Sequence, residues 1–490
     1  MYNKLRHFQE SYSMQPNILL IIAEELRGDF LHYAGNRDSD TPFLDQLASR
    51  GVVFNNHYTV HSKCVPSRSA LYNGRYCHNG GHRTLGIPLQ AGEINLAEIL
   101  KNNGYETALA LKNHTVSDKI SNLCFSSFLT QNEEEPDADA AGFTSNCRKE
   151  GDLKADNYLW GRLNIDEKQH TDYKGTQQAI DYINKSREKP FFLNINYKFT
   201  HPPYTIMEPY YSCIMKKDIS LLPGNPGQDK PEFMKKLHEL HRFSELTEHD
   251  RKEMLACYYG MIAFIDNRVK ELYNALEKSG QLDNTIIIFT SDHGDFAGQY
   301  GLPEKWDTIF HDCLLHIPLT IHYPKNFNCR QINAFSENID LLPTLLDILG
   351  LAHPYGIQGK SLLKCLRGET TEHKEYVFAE GGHEKELLEL KIEPDNTRKK
   401  IVGYLIKARL REIMPDSLRK AKMIRTDKYK LVYRIKDKNE FYNLENDPQE
   451  MTNLYYSGKF KQQIAALEKM LLNHLIETEE NLPFDPKPIS

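Results

Sequence analysis

Cys64-Val65-Pro66-Ser67-Arg68 places a thiol at the start of a helix-forming run that passes into Leu71-Tyr72-Asn73-Gly74-Arg75. Pro66 suits a first helical turn, and Ser67 to Tyr72 can continue the helix. Residue 64 would then sit where unpaired backbone N–H groups and the positive end of the helix dipole favour an anion. A thiol there is expected to have a lowered pKa and to react readily. The remaining chemistry-bearing residues gather in a few places. They are the acidic pair Glu24-Glu25, Lys112 with His114, His201, and Asp292-His293. Carboxylates with an imidazole suit a divalent cation. Lysines can hold anionic oxygens, and histidines can move protons.

These residues are hundreds of positions apart, so the elements before them must bring them together. Asn17 to Ile22 reads as a buried strand and Glu24-Glu25 follow it. Glu106 to Leu111 is a second strand, followed by Lys112 and His114. Pro190 to Tyr197 is a third, before His201, and Asn284 to Thr290 a fourth, before Asp292. Amphipathic helices lie between them. One is opened by Thr41-Pro42 and ends at Gly51, and a long one begins at Thr247 with Asp250 placed for a capping box. Cys257 lies on the apolar stripe of that long helix, and a further helix spans Asp340 to Leu349. Strands alternating with helices predict an α/β fold with a large, mostly parallel central sheet flanked by helices. In such sheets ligands bind at the carboxyl ends of the strands, where all four clusters fall.

Near Gly368 the pattern changes. Tyr376 to Glu380, Lys422 to Arg425 and Lys430 to Ile435 read as antiparallel strands, with Thr426-Asp427-Lys428 as a turn, before a last helix over Phe460 to Ile476. The expected division is a catalytic domain over 1–368 and a smaller C-terminal α+β domain, with an antiparallel sheet, over 369–490. Gln131 to Asp152 and Ser212 to Ser244 read as loops, the second placed to cover a site at His201. The 490 residues carry a net charge of −6 with no long basic run, which argues against nucleic acid as a partner. The first fourteen residues hold no apolar core of a secretory signal, and Ile18 to Ala23 is too short to span a membrane. A soluble cytoplasmic protein is expected, with its nine cysteines reduced.

The C-x-P-S-R run with its downstream Gly-Arg resembles the signature of the type I, formylglycine-dependent sulfatases of the alkaline-phosphatase-like superfamily. The resemblance extends through Asn17 to Glu25, Gly104-Tyr105 to His114, His201-Pro202-Pro203, Ser291-Asp292-His293-Gly294 and Gly301-Leu302 to Lys305. In the C-terminal part it continues in Phe441-Tyr442-Asn443-Leu444 with Asp447-Pro448. It implies an alkaline-phosphatase-like fold and hydrolysis of a sulfate ester, of a sugar or small alcohol, to alcohol and inorganic sulfate. It further implies that a maturase converts Cys64 to formylglycine, whose hydrate attacks sulfur while Arg68 steadies it. Lys112 and Lys305 would bind sulfate oxygens, His114 would act as base, and His201 would protonate the leaving alcohol. Glu24, Glu25, Asp292 and His293 would hold one divalent metal against residue 64, Ca2+ being expected and Mg2+ or Mn2+ also compatible.

Two departures stand out. The family has Asp-Asp or Asp-Gln where this chain has Glu24-Glu25, and Leu-Thr or Met-Thr where it has Tyr72-Asn73. A phosphonate monoester or phosphodiester hydrolase of the same superfamily, or an inactive relative that only binds a sulfated ligand, are the alternatives. His78, His82, Arg83, Trp306 and His311 are candidates for the substrate pocket, Trp306 and His311 equally for structural roles.

Overall fold

The apolar run Asn17–Ala23 forms β1, every residue of it buried, in the middle of an eight-stranded sheet. The computed structural model describes residues 15–129, 151–384 and 402–479. Its strands are β2 (Val52–Tyr58), β3 (Glu106–Leu111), β4 (Ser127–Leu129), β5 (Leu159–Arg162), β6 (Phe191–Tyr197) and β7 (Tyr204–Ile206). They continue with β8 (Thr285–Ser291), β9 (Leu319–His322), β10 (Arg330–Glu337), β11 (Val377–Gly381), β12 (Ala421–Arg425), β13 (Tyr429–Arg434) and β14 (Glu440–Asn443). The large sheet runs β10-β2-β9-β8-β1-β6-β3-β4. β1 pairs in parallel with both β6 and β8, β3 in parallel with β6, and β9 alone runs antiparallel to its neighbours.

Both faces of this sheet are covered, so its central strands are near-continuous aliphatic runs. Along β1 the side chains alternate. Leu19, Ile21 and Ala23 enter one core with the long helix Glu248–Lys278. Ile18, Leu20 and Ile22 enter the other, beside Leu71 and Tyr72 of the helix Cys64–Asn73 and Leu341 and Leu345 of the helix Leu341–Leu349. Cys257 is fully buried in the first core, as its position on the apolar stripe implies. β11 to β14 form the separate antiparallel sheet, with Thr426–Lys428 turning between β12 and β13 and the helix Lys461–Thr478 against it.

The expected capping box is present, with Thr247 accepting from Asp250 N and Asp250 from Thr247 N. At Thr41 the expectation needs correction. Thr41 holds the N-cap position of the helix Pro42–Arg50, but its side chain makes no cap. Asp266, from the long helix, accepts from Phe43 N at 3.1 Å and Leu44 N at 2.7 Å instead. The loop expected over Ser212 to Ser244 is also corrected. It contains the helix Glu232–His241, whose Phe233, Met234 and Leu237 pack with Leu302 and Trp306. Three apolar residues on one face commit that stretch to scaffold. The first fourteen residues, and 131–150 of the other expected loop, lie outside the described residues. Eight cysteines are unbridged among the described residues, and no helix there is long and apolar enough to cross a membrane.

Candidate active site

At the end of β1 the chain turns sharply, with Glu25 in the left-handed region at φ 61°. The turn is pinned from three sides. Glu25 N donates to Asp292 Oδ1 (3.0 Å), Leu26 N to Ser291 Oγ (2.9 Å), and the Tyr258 hydroxyl to Glu25 O (2.6 Å). Thr200 N and Oγ1 both donate to Glu24 O, which ties the turn to the segment carrying His201. The acidic pair is thereby fixed, fully buried, between the ends of β6 and β8.

The helix Cys64–Asn73 is locked against the end of β8 by Ser67. Its hydroxyl donates to Asp292 O (2.6 Å) and accepts from Thr59 Oγ1 (2.8 Å) and Asn338 Nδ2 (3.0 Å). Gly74, in the left-handed region, closes the helix. Cys64 and Arg68 share a face one turn apart. Arg68 Nε donates to Asp292 Oδ2 at 2.9 Å, while its Nη1 and Nη2, both buried, have no hydrogen-bond partner. His293 Nδ1 donates to Gly294 O (2.9 Å), so the lone pair is on Nε2, which faces Cys64 Sγ at 3.4 Å. The unusual Tyr72 and Asn73 are absorbed by the fold. The Tyr72 hydroxyl donates to Asn194 Oδ1 (2.7 Å), and Asn73 Oδ1 accepts from Arg75 N (2.9 Å).

All the expected residues meet here. Lys112 Nζ reaches both Glu24 oxygens at 2.7 Å, and His114 Nδ1 stands 3.9 Å from Glu24 Oε1. Lys305 Nζ pairs with Glu25 and with Glu304 Oε1 (3.0 Å). His201 Nδ1 donates to Pro202 O (2.6 Å), which leaves Nε2 facing Glu25 Oε1 at 3.1 Å. Ligand atoms lie within 4.8 Å of one another in three overlapping sets: Glu24, Cys64, His114; Glu25, Cys64, His293; and Glu24, Glu25, His201. Asp292 stands behind them, its Oδ1 3.9 Å from His293 Nε2. The donors fit a hard divalent cation, and Glu25 Oε2 is a buried acceptor without a hydrogen-bond partner. The longer glutamates therefore still deliver carboxylate oxygens to residue 64.

Burial pushes on every group, and its neighbours decide the outcome. Burial alone would raise Glu24, but Lys112, with His201, His114 and Arg68, holds it well below the usual carboxylate range. Burial raises Glu25 well above that range despite Lys305. Arg68 outweighs burial at Asp292 and lowers it. Burial takes His293 down to about 4, and lowers His114 and His201, each helped by a nearby lysine. For Cys64 the expected lowered pKa is overturned. Burial pushes the thiol upward, because withdrawal from water outweighs Lys305 and Lys112, with Glu24 and Asp292 adding to the rise.

A cleft of about 190 Å3 opens beside the site, lined by Glu24, Lys112, His201 and, among others, Leu163, Lys198 and Phe199. Lys198 escaped the sequence reading although it follows β6, the position that singled out His201. Glu304 lies within the Gly301 to Lys305 run without having been singled out, and Tyr404, with its hydroxyl 3.4 Å from His201 Nε2, carried no signal. The pocket candidates fall elsewhere. His78 and Arg83 pair with Glu380, and His82 with Glu93. Trp306 is buried in the apolar cluster and His311 bonds Glu450, so both are structural.

A family model described as Sulfatase matches residues 16–351, and one described as N-sulphoglucosamine sulphohydrolase, C-terminal, matches 412–478. An arylsulfatase of Clostridium perfringens is 26% identical over 515 residues, covering 95% of this chain and 96% of its own. An N-acetylglucosamine-6-O-sulfatase of Bacteroides thetaiotaomicron is 24% identical over 535 residues, covering 96% and 88%. The crystal structure of a phosphonate monoester hydrolase of Agrobacterium radiobacter matches with a TM-score of 0.75 at 24% identity, covering 95% of this chain and 96% of that one.

Proposed function

The chain belongs to the sulfatase family of the alkaline-phosphatase-like superfamily, and from that premise we propose that it hydrolyses the sulfate ester of a saccharide or small alcohol. The reading rests on residue 64, converted from cysteine to formylglycine, and on one divalent metal held by Glu24, Glu25, Asp292 and His293, calcium first. The formylglycine hydrate supplies the attacking oxygen, and the metal supplies positive charge against the sulfate and residue 64.

The chain's own groups do the rest. The two unpartnered NH2 groups of Arg68 steady the oxygens of residue 64. Lys112 and Lys305 turn from the acidic pair to the sulfate oxygens. His201, protonated on Nε2, gives its proton to the departing alcohol. His114, its ring within 4.8 Å of Cys64 Sγ and its Nδ1 without a hydrogen-bond partner, takes the proton whose removal releases sulfate. The observation that carries the reading is the paired charge around residue 64. Three buried carboxylates and His293 serve a cation, while the open end of a buried guanidinium and two lysines serve an anion.

Cys64 is only 2% exposed in the folded chain, so the maturase must act before this helix packs. Support for a sulfated sugar comes from the Bacteroides relative, named N-acetylglucosamine-6-O-sulfatase, and from a cleft that mixes Lys198 and His170 with the apolar Leu163 and Phe199. The named activity of the Agrobacterium structure supports a second reading, hydrolysis of phosphonate monoesters or phosphodiesters.

The test is a comparison of matched aryl sulfate, phenylphosphonate and phosphodiester substrates, followed by sulfated monosaccharides, on protein made with a maturase. The sulfate ester is expected to have the highest kcat/KM, and an aldehyde-reactive probe should label the segment around residue 64. Preference for the phosphonate would establish the second reading. Full activity with an unmodified cysteine would overturn the nucleophile.

A further inference from the structure

The helix Val402–Ile413 lies between the two stretches matched by the family models except for Glu412 and Ile413, where the second begins, yet it reaches the reacting groups. Gly403 lets it approach Tyr158 so closely that a Cβ would stand 2.4 Å from that ring. One residue on, the Tyr404 hydroxyl lies 3.4 Å from His201 Nε2, and one turn further Lys407, also buried, pairs with Glu304. Leu410 anchors the helix in the cluster around Trp306.

Glu304 is the carboxylate that competes for Lys305. It is buried, and it accepts from Lys305 N (2.9 Å) while lying 3.0 Å from Lys305 Nζ. An uncompensated Glu304 would draw the Lys305 ammonium away from the site, because a buried charge seeks whatever counter-charge is in reach. Lys407 pairs with Glu304 from the far side, and although burial, with Lys63 and Arg411, pushes the Lys407 ammonium down, the proton held between the two cancels the charge of that carboxylate. We propose that Lys407 is a positioning residue for Lys305: by neutralising Glu304 it leaves the Lys305 ammonium available to the ester. This rests on the assignment of Lys305 to the sulfate oxygens proposed above, here taken to include the oxygen that bridges to the leaving alcohol.

The test is a double-mutant cycle on matured, metal-loaded full-length protein, using aryl sulfates whose alcohols differ in acidity. Lys407→Met is expected to lower kcat/KM about tenfold or more, with the greater loss for the poorer leaving groups. Lys407→Arg should restore most of the rate. In a Lys305→Ala background the same Lys407→Met change should cost less than about twofold. Equal losses in both backgrounds, or wild-type rates with every alcohol, would overturn the proposal. If Lys407→Met does not fold, the pair Glu304→Gln with Lys407→Met, which removes both charges, is read instead. It should retain a rate within about threefold of wild type, and a loss as large as that of Lys305→Ala would overturn the proposal. Should the wild-type chain cleave no sulfate ester, the function reading fails by itself. The same cycle measured on affinity for inorganic phosphate, a tetrahedral anion, then still tests the coupling, and additive losses would refute it.

Discussion

His114 and His201 are chemically the same side chain, and their partners separate them. His201 gives its Nδ1 proton to Pro202 O and directs Nε2 to Glu25 and Tyr404, on the side where the cleft opens. His114 stands near Glu24 and residue 64. If His201 is the acid for the alcohol and His114 the base for the second step, His114→Ala should release one equivalent of alcohol in a burst and then stop. His201→Ala should show no burst and lose about 100-fold or more in the first step, most for alcohols that leave poorly. Rapid-quench kinetics with an activated aryl sulfate read both, and a burst in the His201 variant alone would exchange the roles. The acidic pair allows a second prediction. Glu25 Oε2 is a buried acceptor without a partner, so Glu25→Gln keeps the shape but removes a charged donor to the cation. Calcium affinity, followed by calorimetric titration of chelator-treated protein, should fall by about tenfold or more, while the fold persists by circular dichroism. Unchanged affinity would remove Glu25 from the metal site.

Between residue and fold, the elements hold the site through contacts far apart in the chain, and Asp266 is the instructive case. Its carboxylate caps the helix Pro42–Arg50 by accepting from Phe43 N and Leu44 N, yet burial raises its pKa to about 7. The folded chain therefore holds this proton more tightly than the unfolded chain, where an aspartate titrates near 3.9. Stability from this group is present below about pH 4 and is lost as pH rises toward about 7, by up to about 1.4 kcal/mol per unit. Asp266→Asn should flatten that part of the stability profile relative to wild type while keeping an acceptor for the cap. Asp266→Ala should lose about 1–2 kcal/mol near pH 7 through the missing cap, and more toward pH 4, where the wild-type proton is held. Urea unfolding at several pH values measures both, and parallel profiles for wild type and Asp266→Asn would contradict the raised pKa. A cap supplied 222 residues away is invisible in the sequence, where Thr41 held the expected position. The same reasoning divides what was legible from what was not. β1, β3, β6 and β8 could be read because strands buried on both faces must be apolar throughout, and the residues after them could be placed by topology alone. β2, with Asn55, Asn56 and His57 in its middle, has no such run. The raised pKa of Cys64 was missed because a helix start reveals its dipole but not its depth. Lys407 was missed because its partner Glu304 lies 103 positions earlier.

At the scale of the whole molecule, the antiparallel sheet is joined to the large one by a shared core and a buried charge cluster. Tyr58 and Phe335 of the large sheet pack with Val377, Met423 and Val432 of the small one. Beside them Lys430, with no exposed side-chain surface, donates to Asp312 Oδ1 (2.5 Å), Phe310 O (3.1 Å) and Glu450. Lys230 approaches from another element and donates to the Tyr442 hydroxyl (2.8 Å) and to Glu450 O. Ion pairs so deeply placed gain little over a well-packed apolar contact, but removing one partner strands the others. Lys430→Met should therefore destabilise the protein by about 3–5 kcal/mol, well beyond the loss expected for an exposed lysine. Because Asp312 and Glu450 come from the two sides of the junction, the damage should not stay in the small sheet. Thermal unfolding followed by far-ultraviolet circular dichroism and by loss of ester hydrolysis should shift down together. A variant whose small sheet melts early while activity survives at the wild-type temperature would mean that the junction does not hold the site.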